Sequence, residues 1–270
     1  MSFTNILNKR NRALLRELVV TDFKLRYQGS VLGYLWSLLK PLFLFSILYV
    51  VFGKVLKFGS GIPHFSIYLL LGIVLWGFFA EATGQGLTAI VGRGDLIRKI
   101  NFPKYVIVIS GTVSALINLL LNLLVVLVFM FINHVDIHRS ILLFPLLIVE
   151  LYVLALAAAF FLSAAYVKFR DIGYIWEVGM QAAFYATPVI YSIDMVVKQN
   201  VVAAKAIMLN PMAQIIQDSR YTLITHQTIT MYGFVHNRLL LAVPFVAIVL
   251  AVLLAVTYFR KSSKYFAEDV

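Results

Sequence analysis

The 270-residue sequence contains no cysteine, so disulfide staples, thiolate metal centres and cysteine nucleophiles are excluded together. It is also poor in charge: 13% of its residues are Asp, Glu, Lys or Arg, about half the roughly 25% of an average soluble domain. Acids are the scarcer sign, with 12 Asp and Glu against 23 Lys and Arg and a formal charge of +11. A phosphate-cradling loop of the GxxxxGK type is missing, so any ATP hydrolysis behind this chain's work belongs to another polypeptide. HExxH and GxSxG are missing too. The five histidines, His64, His134, His138, His226 and His236, show no convergent ligand spacing, and no metal or other cofactor is expected on the chain.

What fills the sequence instead is apolar. Hydrophobic residues make up 61% and the mean hydropathy is +0.91, with runs well beyond the roughly 18 residues that read as a spanning helix. This is the composition of an all-α integral membrane helical bundle. The isoelectric point near 9.8 would suggest nucleic acid in a soluble chain. In a membrane protein it reflects Lys- and Arg-rich cytoplasmic loops, and no nucleic-acid partner is expected.

The hydropathy pattern predicts six transmembrane helices, at 32–52, 65–90, 106–132, 141–167, 172–190 and 239–259. Residues 1–30 carry six Lys and Arg among Leu14, Leu15, Leu18, Val19 and Leu25 at near-helical spacing, the pattern of an amphipathic helix lying in the membrane interface. They lack the apolar core of a cleaved signal. Residues 92–104 interrupt the apolar runs with four bases and one Asp and read as a short cytoplasmic helix. Residues 191–238 are too apolar for an ordinary loop, yet Asn210, Pro211, Asp218 and Arg220 break them; re-entrant helices between spans five and six fit this pattern. Counting Lys and Arg by side gives 15 with the two termini and seven opposite, so both termini are expected in the cytoplasm. The whole chain, 1–270, forms one transmembrane domain.

Three acids fall within the apolar spans, Glu81, Glu150 and Glu177. A charge at the bilayer centre costs at least about 2.5–3.5 kcal/mol unless paired or hydrated, which makes each a candidate for function. Packing is the competing explanation: Glu81 has Gln85 one turn on, and Glu177 lies six residues past Asp171, about 9 Å along a helix. Lys40, followed by Pro41, either snorkels or faces a central cavity. Aromatics concentrate in the first and fifth spans. Those near span ends fit an interfacial belt, whereas Phe43, Tyr49, Phe184 and the neighbouring Tyr185 are candidates to line a conduit whose flat faces stack on sugar CH groups.

The run LRYQGSVLGYLWSLLKP at 25–41 resembles the lead-in to the first span of permeases from ABC exporters of polysaccharide, O-antigen and teichoic acid. Further landmarks follow in order: LIRKINFP at 96–103, FRDI at 169–172, TPVIY at 187–191, and Asn210-Pro211. The resemblance covers nearly the whole chain. It implies a homodimeric permease of the cell inner (plasma) membrane, joined to two copies of a separate ATPase subunit that binds ATP and Mg, and moving a polyprenyl diphosphate-linked glycan outward. It further implies that 92–104 form a coupling helix on the ATPase, using Arg93, Asp95, Arg98, Lys99, Phe102 and Pro103. The basic N-terminal helix flanks the substrate entrance, where Arg26, Tyr27 and Lys40 would meet the anionic diphosphate. Headgroup anchoring is the other reading of Arg26. Two rival functions stay open at this point: an ABC exporter of drugs or other lipids, and a membrane enzyme acting on polyprenyl lipids, which would need Glu81 and Glu150 to converge.

Overall fold

The computed structural model describes residues 9–27, 29–59, 61–99, 102–235 and 237–269, without the side chains at 9, 10, 23, 25–27, 267 and 269. All regular structure among the described residues is helical: α1 (Lys9–Tyr27), α2 (Trp36–Leu48), α3 (Phe65–Ala89), α4 (Gly94–Lys99), α5 (Tyr105–Ile132), α6 (Phe144–Lys168), α7 (Ile172–Ala186), α8 (Ile193–Gln199), α9 (Val201–Met208), α10 (Pro211–Leu223), α11 (Met231–Phe234), α12 (Arg238–Ser262) and α13 (Phe266–Asp269). A π-helical stretch, Tyr49–Val55, prolongs α2, and a 3-10 turn, Arg139–Leu143, leads into α6.

Among the described residues, five helical segments are long and apolar enough to cross a membrane: Gly33–Val55, Phe65–Ala89, Tyr105–Ile132, Arg139–Lys168 and Arg238–Ser262. They coincide with five of the six spans expected from hydropathy. The segment expected at 172–190 is shorter. Its helix α7 has 15 residues, roughly 22 Å at helical rise against a hydrocarbon core of about 30 Å. It stops at Ala186 because Thr187 precedes Pro188 and is held extended, at φ −95° and ψ 141°; the proline ring disfavours helical geometry in the residue before it.

The bundle is organised around α3, which packs mainly on α5 and α6. Its threonine hydroxyls bond back to the preceding turn, as Thr83 Oγ1 does to the Phe79 carbonyl at 2.7 Å; Ser114 on α5 does the same to the Ser110 carbonyl at 3.0 Å. At the α3–α6 crossing, a Cβ on Gly86 would come within 2.7 Å of Ala159 Cα, so only glycine permits this approach. Small residues are what bring membrane helices close, since apolar surface alone does not drive them together in lipid.

Helix α1 is amphipathic as expected. Leu14 and Leu18 pack toward Ile107 and Val108 of α5, while Arg12, Arg16, Glu17 and Lys24 are exposed.

Residues 191–238 break into α8–α11 for a local reason. Each short helix starts on a polar side chain that accepts from its first turn: Ser192 from Asp194 N at 3.2 Å, Asn200 from Val202 N at 3.0 Å, Asn210 from Met212 N at 3.0 Å and Thr230 from Gly233 N at 3.3 Å. Asn210 also has Pro211 at the first helical position, where the missing N–H costs nothing.

Candidate functional site: a polar cleft between α2, α3, α5 and α7

Pro41 leaves α2 unbroken, and Lys40 just before it turns toward a cleft of about 590 Å³ shared with α3, α5 and α7. Three residues singled out from sequence meet there: Lys40 from α2, Glu81 from α3 and Phe184 from α7. Trp36 and Trp76 add flat apolar surface, and the Trp76 and Phe184 rings meet edge to face at 5.7 Å.

The polar wall comes from two i,i+4 pairs. On α3, Gln85 Nε2 donates to Glu81 Oε1 at 2.9 Å, the bond expected from their spacing. On α5, Asn118 Nδ2 donates to the same Glu81 oxygen at 2.7 Å. One turn on, Asn122 Nδ2 donates to the Asn118 carbonyl at 2.8 Å and to the Ser37 carbonyl of α2 at 3.2 Å. Asn118 Oδ1 is buried with no partner. Glu81 is thus held by amide donors on two helices, the arrangement that makes an acid tolerable at membrane depth. Asn118, Asn122 and Trp76 were not picked out from sequence. The i,i+4 spacing of the two asparagines within an apolar run was the available signal.

Glu81 and Glu150 do not converge. Glu150 lies in a different cavity, bounded by α6, α10 and α12, so the acid pair that a membrane enzyme on polyprenyl lipids would need is not formed. Glu177 is exposed on α7. Phe43 and Tyr185 also project outward, and Tyr49 stacks on Phe45 at 5.7 Å.

Residues 13–224 match the ABC-2 type transporter family. The chain belongs to that family. It is similar over nearly its whole length to two proteins named O-antigen export system permease protein RfbA. One, from Myxococcus xanthus, is 32% identical over 265 residues, 96% of each chain. The other, from Klebsiella pneumoniae, is 28% identical over 269 residues, 98% of this chain and 99% of the relative. The protein is accordingly a multi-pass membrane protein and a transport component.

In this ABC-2 chain the stretch expected to couple to an ATPase divides into an inner and an outer set. Arg93 turns inward to an ion pair with Asp22 of α1 and donates to Ser110 Oγ of α5 at 3.1 Å. Phe102 is buried with Ile97, Phe259 and Phe266. Asp95, Arg98 and Lys99 are exposed, the first two 3.5 Å apart, and Pro103 is half-buried. Arg26 and Tyr27 close α1, and their side chains lie outside the described residues, as do Gln28, Ile100 and Asn101 of the family-like runs.

Sequence reading placed Arg220 only as a break in the outer region. It is fully buried and joins three parts of the ABC-2 bundle. Its Nε donates to the Tyr68 carbonyl of α3 at 3.0 Å, Nη1 to the Pro188 carbonyl at 2.5 Å and Nη2 to the Val189 carbonyl at 2.6 Å. The guanidinium sits 3.7 Å over the Tyr68 ring, a cation–π contact strengthened by the absence of water. Gly72 makes room for it: a Cβ there would fall 2.4 Å from Nη2.

Proposed function

We propose that the chain pairs with a second copy to form the membrane channel of an ATP-driven exporter that carries a lipid-linked polysaccharide from the cytoplasmic to the outer side of the inner membrane. The single observation that carries this reading is the similarity to O-antigen export permeases over at least 96% of each chain. The cleft supports it chemically. Tryptophan and phenylalanine faces beside amide and carboxylate edges suit a ligand that offers CH surface and hydroxyls together, and Lys40 at the rim suits an anionic diphosphate.

Six spans with both termini inside remain the proposed topology. Here α7 and the turn at 187–190 together make the fifth crossing, and α8–α11 re-enter from the outer side. The exposed Asp95, Arg98 and Lys99 then face an ABC ATPase, which holds ATP and Mg. Arg93 is the internal brace that passes movement of α4 to α1 and α5. ATP-driven closure of the ATPase pair shifts α2 and α7 across the dimer axis and opens the cleft.

The test is depletion of the chain in its host, followed by locating lipid-linked glycan on each side of the membrane. Loss of surface polymer with build-up of polyprenyl-linked polymer inside is the expected outcome. Unchanged surface glycan with no internal build-up would overturn glycan export and leave the drug or lipid exporter.

A further inference from the structure

A second cavity, of about 880 Å³, lies at the α10 end of the bundle and is walled by α6, α10, α11 and α12. Its polar groups share one unusual property. Glu150, Gln214, Asp218 and Thr228 all line it, and each has one oxygen, Oε1, Oε1, Oδ1 and Oγ1 in turn, that is buried with no hydrogen-bond partner among the described residues. Gln214, Thr228 and Asp218 are only 1%, 7% and 8% exposed, so bulk water does not serve these oxygens. Gln214 Nε2 donates to Asp218 Oδ2 at 2.7 Å, which fixes the amide with its acceptor end free.

A buried acceptor without a donor costs on the order of 1–3 kcal/mol, more for a charged group. Three of these oxygens, on Glu150, Gln214 and Asp218, are carboxylate or amide acceptors, and the Thr228 hydroxyl can accept as well as donate, so the missing partner brings N–H or O–H donors, and the two carboxylates among them favour a positive one. Asp218 lies outside the five spans; burial raises its carboxyl to about 6, with the Gln214 bond opposing, so it is largely ionised at pH 7. Among the described residues no Lys or Arg lines it; the other titratable groups there are His226, Tyr221 and Tyr232. His226 is engaged with Ser140 Oγ at 3.0 Å.

Size and surroundings narrow the occupant further. The volume falls in the range of roughly 300–1,000 Å³ that accepts an organic ligand and far exceeds a bare ion, and the described residues contain no cluster of three metal-ligating side chains. Leu143, Leu147 and Phe245 supply apolar wall. On the flanks Leu142, Leu146 and Val149 of the α6 segment and Leu239 and Val246 of α12 are exposed, so the mouth lies between exposed apolar helix faces.

We propose that this cavity holds the protonated primary amine of a membrane-lipid headgroup, its ammonium placed between Glu150 and Asp218 with Gln214 Oε1 and Thr228 Oγ1 completing the acceptors. An ammonium has three N–H donors and no acceptor, the complement of this lining. A quaternary ammonium has the charge but no donor. The lipid's chains run along the α6 and α12 faces, and the site is independent of what the channel carries.

The full-length protein in detergent, titrated by native mass spectrometry with phosphatidylethanolamine, phosphatidylcholine and phosphatidylglycerol of identical acyl chains, tests this. The amine lipid is expected to bind at least ten-fold tighter than either of the others. Glu150→Gln and Asp218→Asn, nearly isosteric, each reduce that preference at least three-fold, and the double variant abolishes it with the melting temperature preserved. The ligand series on the unaltered protein stands even if a variant misfolds. Equal binding of the three lipids, a preference surviving in the double variant, or retention that needs Ca²⁺ or Mg²⁺ and disappears with chelator would each overturn the proposal.

Discussion

The segment Gly33–Val55, built on α2, and helix α3 are both apolar enough to cross a membrane, yet they have opposite fates. In α3, 16 of 25 residues are buried; in α2, one of 13 is, Phe45. Helix α7 resembles α2, with none of its 15 residues buried. Hydropathy marks both classes as leaving water and says nothing about whether protein or lipid receives them. What separates them is what the side chains permit. Gly72 and Gly86 on α3 admit a guanidinium and a neighbouring backbone. The outward faces of α2 with its π-helical extension and of α7, with Ile47, Val50, Tyr174 and Val178 exposed, await lipid or a second copy of the chain.

The sharpest way to break the α3 side is Arg220→Met. It orphans the carbonyls of Pro188 and Val189 in an anhydrous setting, at about 1–3 kcal/mol each, and removes the tie to the Tyr68 carbonyl of α3, so a loss of at least about 2 kcal/mol is expected, read as a collapse in the yield of monodisperse protein and a lowered melting temperature. A variant that melts like the original would show that the arginine does not hold α3, α10 and the 188–189 turn together. Next in size is Gly72→Ala, whose new methyl meets both Arg220 Nη2 and the Val189 carbonyl; overpacking of this kind costs about 1–3 kcal/mol. The same change at Gly77, where a Cβ meets nothing within 4 Å, should move the melting temperature little, and equal effects would contradict the packing argument.

Smaller effects separate stability from function. Glu81→Gln keeps the shape but offers an amide where Asn118 and Gln85 donate to a carboxylate. Replacing these charge-assisted bonds is expected to cost about 1–2 kcal/mol and to reduce glycan export more than the lost stability accounts for. Normal export from well-folded protein would make Glu81 a packing residue. Last, Ile47→Ala on the exposed face of α2 should change melting by under about 0.5 kcal/mol. Because the chain has no cysteine, Ile47→Cys with a short bifunctional thiol reagent then reports the partner across α2. Covalent dimers are expected there and not from Leu124→Cys on the exposed face of α5; equal cross-linking from both would remove α2 from the proposed dimer interface.

Much of this was legible in residue order. The spans at α3, α5 and α12 followed from run length. The α1 amphipathicity followed from Leu14 and Leu18 set among bases. The Glu81–Gln85 bond followed from four-residue spacing, since all three are contacts within a few turns. The cleft was half-visible: Lys40, Glu81 and Phe184 stood out one by one, but their meeting point, and the part played by Asn118, Asn122 and Trp76, depends on helices 30 or more residues apart in sequence. The inward turn of Arg93 was hidden for the same reason, because its partner Asp22 sits 71 positions away.

Composition, run length and local spacing therefore determined by themselves that this chain is a helical membrane protein, where most of its helices run, and, through the family-like motifs, what kind of transporter it resembles. These are properties of neighbours along the chain, set by transfer free energy and backbone hydrogen bonding. Only the tertiary structure decided which apolar helix became the core, that a lone arginine would be sealed under α3, and that Glu81 and Glu150 would serve two separate cavities. Those outcomes depend on shape complementarity between distant segments, where one glycine or one amide fixes the approach, and no local pattern encodes that.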